Sequence, residues 1–387
     1  MISLLLAIIY LSFVSLGLPD QLLGSAWPLM SVDLGASLSM AGGIYMIIAL
    51  GTVVSSLMSD RLTHRFGAAK ITAVSALLIS IALFGFSVAD SYWLLCLIAV
   101  PYGLGAGAVD AALNNYVAIH YASKHMIWLH CCWGVGAALG PYILSLAMGL
   151  RGQWRDGYGA VAIVQLAMTA ALFASVPLWK GKGDSGISDG NAAKPLGIKR
   201  ALGIKNVKPI LVAFFCYCAF ETSAGLWASS YLVEHHGVDA ETAAAFGAMF
   251  CLGITIGRFA CGFIADRVCD KNMIRMGVAV SAAGLLLIAL PCTTLSTAGL
   301  VISGIGAAPV YPAIIHSTPE HFGKENSGAI VGIQMASAYM GSALVPPLFG
   351  VVAQHIGIGL FPYFLSFFVV LLFVLTERVN RSKKRKA

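Results

Sequence analysis

Of the 17 acidic residues in this chain of 387, Asp20, Asp110 and Glu221 fall within long apolar stretches. A charge at the centre of a bilayer costs roughly 2.5–3.5 kcal/mol on insertion scales, so acids in such places are rare and mark function. No Lys or Arg lies at comparable depth; Arg258 comes nearest, toward the end of its own stretch. Acids so placed are expected to face a water-filled cavity, to carry a proton, or both. Asn114 follows Asp110 by one helical turn on the same face. With His130, Asp110 makes an acid–histidine combination able to share a proton near neutral pH. Asp20 follows Pro19, which removes a backbone N–H and weakens a helix locally. Glu221 adds a second protonation site or admits a hard cation such as sodium, which carboxylates suit. The plainer alternatives are that Asp110 only hydrogen-bonds neighbouring helices and that Asp20 is a solvated carboxylate at a kink.

The elements that must position these groups follow from composition. The chain is 58% hydrophobic and 11% charged, where a soluble domain carries about 25% charge. So little charge cannot coat a soluble surface, and most of the exterior must meet lipid. A span needs about 20 mostly apolar residues. Such stretches occur near 3–27, 38–58, 69–90, 92–118, 126–149 and 158–179, and again near 209–233, 240–264, 273–291, 294–316, 326–352 and 357–376. The expected organisation is a first six-helix bundle over 1–179, a polar linker over 180–208, a second bundle over 209–376 and a basic tail over 377–387. This is an all-α membrane protein of twelve transmembrane helices in two pseudo-symmetric halves. Met1–Gly17 lacks a basic n-region and a small-residue cleavage site, and is read as a retained first helix. The nine cysteines show no CxxC or CxxH spacing and are read as small packed hydrophobes, with no metal site.

Orientation follows from basic residues. With the N-terminus inside, the inner segments hold Arg61, Arg65, Lys70, Lys124, seven linker residues, Arg267, Lys271, Arg275, Lys324 and six in the tail, whereas the outer loops hold Arg151 and Arg155. Both termini and the linker are therefore placed in the cytoplasm. The net charge of +7 reflects this asymmetry and anionic inner-leaflet lipid, and implies no nucleic-acid partner. An internal repeat supports the halving: GTVVSSLMSDR (Gly51–Arg61) and GRFACGFIADR (Gly257–Arg267) each set a glycine nine residues before Asp-Arg. Repeated halves about an axis along the membrane normal are a known transporter arrangement.

These residues carry a resemblance. Asp60-Arg61 with Arg65, and Asp266-Arg267 with Lys271, resemble the Gly-x-x-x-Asp-Arg-x-Gly-Arg loop of the major facilitator superfamily. The second copy keeps Gly262 but has Cys269 for the later glycine, and the first copy has Ser56 and Thr63 at those places. In that family the loop latches helix bundles on the cytoplasmic side, so the resemblance implies an imperfect latch here. GLPDQLLGSAWP (Gly17–Pro28), YGLGAGAVDAALNNYV (Tyr102–Val117), WLHCCWGVGAALG (Trp128–Gly140), FETSAGLWASSY (Phe220–Tyr231) and VYPAI (Val310–Ile314) further resemble the fucose–proton symporter branch. The branch implies that Asp110 is a protonation site, that Asp20 gates or couples substrate binding, and that His130 occupies a sugar-contacting position. Glu221 departs from the branch, which has an amide there.

The resemblance implies proton-coupled uptake of a sugar or related small polar solute by alternating access, by a monomer in the inner membrane, without a cofactor. The proton gradient is the energy source, with sodium as the alternative ion. Sugar hydroxyls want amide partners and sugar C–H faces stack on rings, so Asn114, Asn115 and Gln334, with Trp27, Trp133, Trp227, Tyr311 and Tyr339, are candidate contacts. Aromatic anchors at membrane interfaces are the plainer reading of the rings. The runs GLGAGAVD, GVGAALG and GIGAAP lie in apolar spans without a βαβ unit, so close helix packing is expected of them, not dinucleotide binding. A proton-driven exporter of drugs or metabolites is the alternative function. A membrane sensor is disfavoured by the short linker and tail, and nothing points to an enzyme.

Overall fold

The computed structural model describes residues 4–36, 40–151, 153–179, 196–238, 243, 246 and 249–384. Every regular element among them is helical: α1 (Leu4–Gly17), α2 (Leu22–Asp33), α3 (Ala41–Phe66), α4 (Ala68–Val88), α5 (Tyr92–His120), α6 (Ser123–Arg151), α7 (Trp154–Ser175), α8 (Ile198–Gly203), α9 (Val207–His236), α10 (Met249–Ile264), α11 (Asp270–Ile288), α12 (Thr293–Ala307), α13 (Val310–His316), α14 (Thr318–Phe322), α15 (Lys324–His355) and α16 (Phe361–Lys384), with short 3-10 turns at Val176–Trp179 and Ile358–Leu360.

Among the described residues, eleven helical stretches are long and apolar enough to cross a membrane, and the shorter apolar helix Met249–Ile264 falls within the remaining expected span. Each expected span contains one of these. The helices overrun the apolar windows at their ends; α3 continues through Arg65 to Phe66, because backbone hydrogen bonding persists where the side chains become polar. The span expected near 240–264 lies partly outside the described residues, as do 180–195 of the linker and 385–387 of the tail. No structural break marks residue 377, since α16 runs on to Lys384.

The chain forms two compact units, Met1–Tyr116 with Leu129–Gly197, and Val117–Trp128 with Ile198–Ala387. The connector between α5 and α6 therefore groups with the second unit, although both of those helices otherwise belong to the first. Large apolar side chains such as Trp93, Phe259, Leu286 and Phe367 stand exposed, as a lipid-facing surface requires.

Lipid removes the hydrophobic drive between helices, leaving close packing and interhelical hydrogen bonds to hold the bundle. In the first unit α4 packs along α7, tied by Ser80 and Thr169 hydroxyls at 2.9 Å. Gln165 of α7 donates to Ser15 Oγ of α1 at 2.7 Å. At one rim Arg155 donates to Asp33 and to the Ala89 carbonyl, at 2.7 Å from its NH2; Trp154 Nε1 adds a bond to Asp33 at 3.1 Å. Arg155, and then Trp154, hold the Asp33 carboxyl below its usual range. In the second unit α9 packs against α15 and α16, and α12 against α10 and α11. Arg275 clamps Glu377 through two bonds of 2.6 and 2.7 Å.

Candidate functional site

Pro19 breaks the first span. Helix α1 ends at Gly17 and α2 begins at Leu22, joined by turn bonds from Asp20 N to the Gly17 carbonyl and from Leu22 N to the Pro19 carbonyl. Asp20 sits in this break, exposed although within the apolar span Leu4–Trp27. Its carboxylate accepts from Trp133 Nε1 at 2.8 Å and from the Tyr102 hydroxyl at 3.3 Å. Close approach of backbones permits the first bond. A Cβ on Gly17 would run into the Trp133 carbonyl, and one on Gly140 into the Leu18 carbonyl. The GVGAALG run is thus a helix-packing surface. Sequence reading missed Tyr102, although it opens the YGLGAGAVD stretch that leads to Asp110.

Asp110 and Asn114 are buried on α5, and His130 is buried on α6. Asn114 Nδ2 donates to Asp110 Oδ1 at 2.8 Å and to the Asp110 carbonyl at 3.0 Å. Its Oδ1 lies 3.1 Å from His130 Nε2, which therefore carries the hydrogen. One amide so links acid and histidine. The imidazole is also set by Phe13, edge-on at 5.3 Å. Hydroxyls of α3 fix the approach of α5: Ser55, Ser56 and Ser59 donate to the carbonyls of Gly103, Gly107 and Ala108 at 3.4, 3.1 and 3.2 Å. Asn114, expected as a substrate contact, has no exposed surface and is engaged by Asp110 and His130. Trp27 is likewise buried, packed edge-on to Tyr92 at 6.5 Å, which removes it from direct contact. Asn115 is half-buried on α5, and Trp133 half-buried on α6.

The second unit corrects the expectation that Glu221 lacks a basic neighbour. Arg258 NH2 of α10 reaches Glu221 Oε1 of α9 at 3.1 Å, with the guanidinium almost enclosed and the carboxylate about a quarter exposed (24%). The long Arg258 side chain covers the offset in depth that residue counting placed between them. Tyr217, one turn before Glu221, donates to the Ala307 carbonyl at 3.1 Å and meets Tyr311 edge-on at 5.7 Å. Tyr311 also packs on Phe214 at 4.6 Å and is half-buried, as is Tyr339. Trp227 uses its indole N–H on the Pro346 carbonyl at 2.9 Å and packs on Phe349 at 5.7 Å. Gln334 is fully buried, accepting from Thr318 Oγ1 at 3.0 Å, so the expected substrate amide is enclosed by α13–α15 packing.

The repeated Asp-Arg segments differ in surroundings. Asp60 is buried on α3 with Oδ1 3.7 Å from His64 Nε2, while Arg61 is exposed and Arg65 lies over the Phe66 ring at 5.2 Å. Asp266 accepts from Lys124 Nζ of the connector at 2.6 Å; Arg267 is exposed and Lys271 half-buried. Among the described residues no group of His, Cys, Asp and Glu could hold a metal ion. Chemically, the first unit offers an exposed carboxylate with neutral donors and a buried acid–amide–histidine chain, whereas the second offers a neutralised ion pair.

The family model described as Major Facilitator Superfamily matches residues 9–302 and 210–387. Bypass of stop codon protein 6 of Saccharomyces cerevisiae is 24% identical over 402 residues, covering 94% of this chain and 79% of its own. The hexuronate transporter of Bacillus subtilis is 24% identical over 364 residues, covering 87% and 84%. The crystal structure of FucP in the outward conformation matches with a TM-score of 0.82 at 16% identity, covering 97% of this chain and 98% of that chain; FucP is the fucose:proton symporter of E. coli. At that identity the structural likeness speaks for the fold alone.

Proposed function

The chain belongs to the Major Facilitator Superfamily, and from that premise we propose that it takes up a sugar or a related small polar solute together with a proton, by alternating access. It is a multi-pass membrane transporter and not an enzyme. The observation that carries the finer reading is Asp20, an exposed carboxylate within an apolar span, held by Trp133 and Tyr102. Among the described residues no Lys or Arg pairs with it. Such a group can change protonation as the site changes access, because its neighbours are donors that hold it in place without neutralising it. Trp133 and the half-buried Asn115 of α5 would supply a ring and an amide, the two kinds of contact a sugar needs. Behind them, Asp110, Asn114 and His130 form the chain through which a proton is held when the carrier reorients. The name of one similar protein, a hexuronate transporter, supports the sugar class.

Glu221 is engaged with Arg258, which weakens both the sodium reading and the attraction for cationic drugs that three unneutralised acids would exert. Placement in the inner membrane as a monomer is part of the same proposal, and the cytoplasmic position of both termini rests on the basic-residue asymmetry.

Purified protein in vesicles with an imposed pH gradient tests the reading. Labelled fucose or a hexuronate should accumulate with proton influx, and Asp20→Asn or Asp110→Asn should abolish accumulation while leaving exchange across the bilayer without a gradient. Undiminished accumulation in Asp110→Asn would sink the coupling role of that acid. Proton release driven by cationic dyes, with no response to sugars, would establish the exporter instead.

A further inference from the structure

We propose that His316 is a proton-held clasp: carrying two N–H bonds, it ties the α5–α6 connector to the start of α11, and it releases the connector when the proton leaves. His316 Nδ1 lies 2.6 Å from Asp270 Oδ2, and its Nε2 lies 3.0 Å from the Tyr121 carbonyl oxygen. A carbonyl only accepts, and an ionised carboxylate only accepts; a neutral imidazole has one N–H to give. Both bonds therefore need one proton more than a neutral ring and a carboxylate hold between them. If the proton leaves, an imidazole lone pair faces a carboxylate at 2.6 Å, and one of the two bonds must break. Histidine is the side chain for which this happens near neutral pH.

The neighbours make the clasp specific to this proton. Asp270 Oδ1 accepts from Ser123 Oγ at 2.5 Å, so the same carboxylate holds both the connector and the first residue of α6. Of the charged groups on surrounding elements, Asp270 and Glu320 act on His316. Lys124 is taken by Asp266 at 2.6 Å and Arg275 by Glu377. His125 of the connector packs on Tyr121 and Trp128, and His321 bonds the Ser317 carbonyl at 2.8 Å and Asn380 at 3.3 Å.

The connector matters because of what it joins. Residues Val117–Trp128 group with the second unit, while α5 up to Tyr116 and α6 from Leu129 belong to the first. Those two helices carry Asp110 and Asn114, and His130 and Trp133. Holding or freeing their shared connector thus acts on the helices of the proposed transport site, and makes the carrier responsive to pH in the aqueous phase on that side, whatever it transports.

Hydrogen exchange of the full chain in lipid nanodiscs, read by mass spectrometry without substrate, tests this. The ratio of exchange in the connector to exchange in α4 cancels the intrinsic pH dependence of the amides. In the wild type this ratio should rise roughly tenfold between about pH 6 and about pH 9, the worth of a charged hydrogen bond. His316→Gln, which keeps a single donor, should show the raised ratio at both pH values, and Asp270→Asn should do the same. A wild-type ratio that stays constant across this range overturns the proposal, as does a ratio in His316→Gln that still climbs like the wild type. The wild-type measurement stands by itself if either variant fails to fold. Because no sugar or gradient is used, this test can fail while proton-coupled uptake stands, and the reverse.

Discussion

Arg258 and Glu221 meet at 3.1 Å between α10 and α9, joining a nearly enclosed guanidinium to a partly exposed carboxylate. Removing one partner strands the other, which costs more than the pair contributes as a whole. Because Glu221 retains some contact with solvent, Glu221→Gln should destabilise by about 2 kcal/mol, below the full buried-pair figure. The double variant Glu221→Gln/Arg258→Met should recover part of that loss. Thermal unfolding of the four proteins in detergent measures the coupling, and additive losses would show that the contact contributes nothing.

Asn114 should behave as a structural link between two titratable groups. Asn114→Ala removes one hydrogen bond from each of two buried side chains, Asp110 and His130, and should cost about 1–3 kcal/mol. Asn114→Asp should change the pH profile of transport, because it keeps the shape and accepts from His130 while the buried carboxyls at 110 and 114 must share a proton. A pH profile identical to wild type in Asn114→Asp would argue that the chain through residue 114 carries no proton-dependent step.

Much of the architecture was legible because lipid imposes a length and a polarity on every span, and the twelve apolar windows each contain a helix. The break at Asp20 was legible from Pro19, whose missing N–H is a local property. The Glu221–Arg258 contact was not, since its members lie 37 residues apart on separate helices and counting along a span gives depth without side-chain reach. Gln334 and Trp27 looked available for the same reason: residue type says what a side chain can bond, whereas burial depends on which face the neighbouring helix covers. His316 offered no motif at all, because one of its partners is the backbone carbonyl of Tyr121, and a backbone acceptor leaves no mark in the sequence.

Two glycines of α6 should respond in opposite ways to the same change. A Cβ at Gly140 would enter the space of the Leu18 carbonyl, while one at Gly134 would meet nothing within 4 Å. Gly140→Ala should therefore push α6 away from the first span and destabilise by about 1–3 kcal/mol or more, as overpacking does. It should also weaken binding of the proposed sugar substrate, because Trp133 would lose its 2.8 Å contact with Asp20. Gly134→Ala should be neutral or stabilising by up to about 1 kcal/mol, the helix-propensity gain of alanine over glycine. Equal effects at both positions would mean that the close approach of the two backbones is not what seats Asp20.

The rim contact of Asp33 with Arg155 and Trp154 supplies a pH dependence whose sign can be fixed. The folded protein holds the Asp33 carboxyl below its usual range, chiefly through the hydrogen bond from Arg155 and next through that from Trp154. A group depressed on folding contributes stability above its unfolded pKa, and loses it as pH falls through the folded value. The contribution should thus be complete at neutral pH and decline only below about pH 4, where unfolded aspartate titrates. Asp33 is substantially exposed (44%), so the effect is a modest shift in unfolding temperature and should shrink in high salt. Asp33→Asn should lower the unfolding temperature at pH 7, and the gap from wild type should narrow toward zero in acid. A gap that stays constant down to acidic pH would assign the contribution to the neutral hydrogen bonds at this rim, and not to the ionised carboxylate.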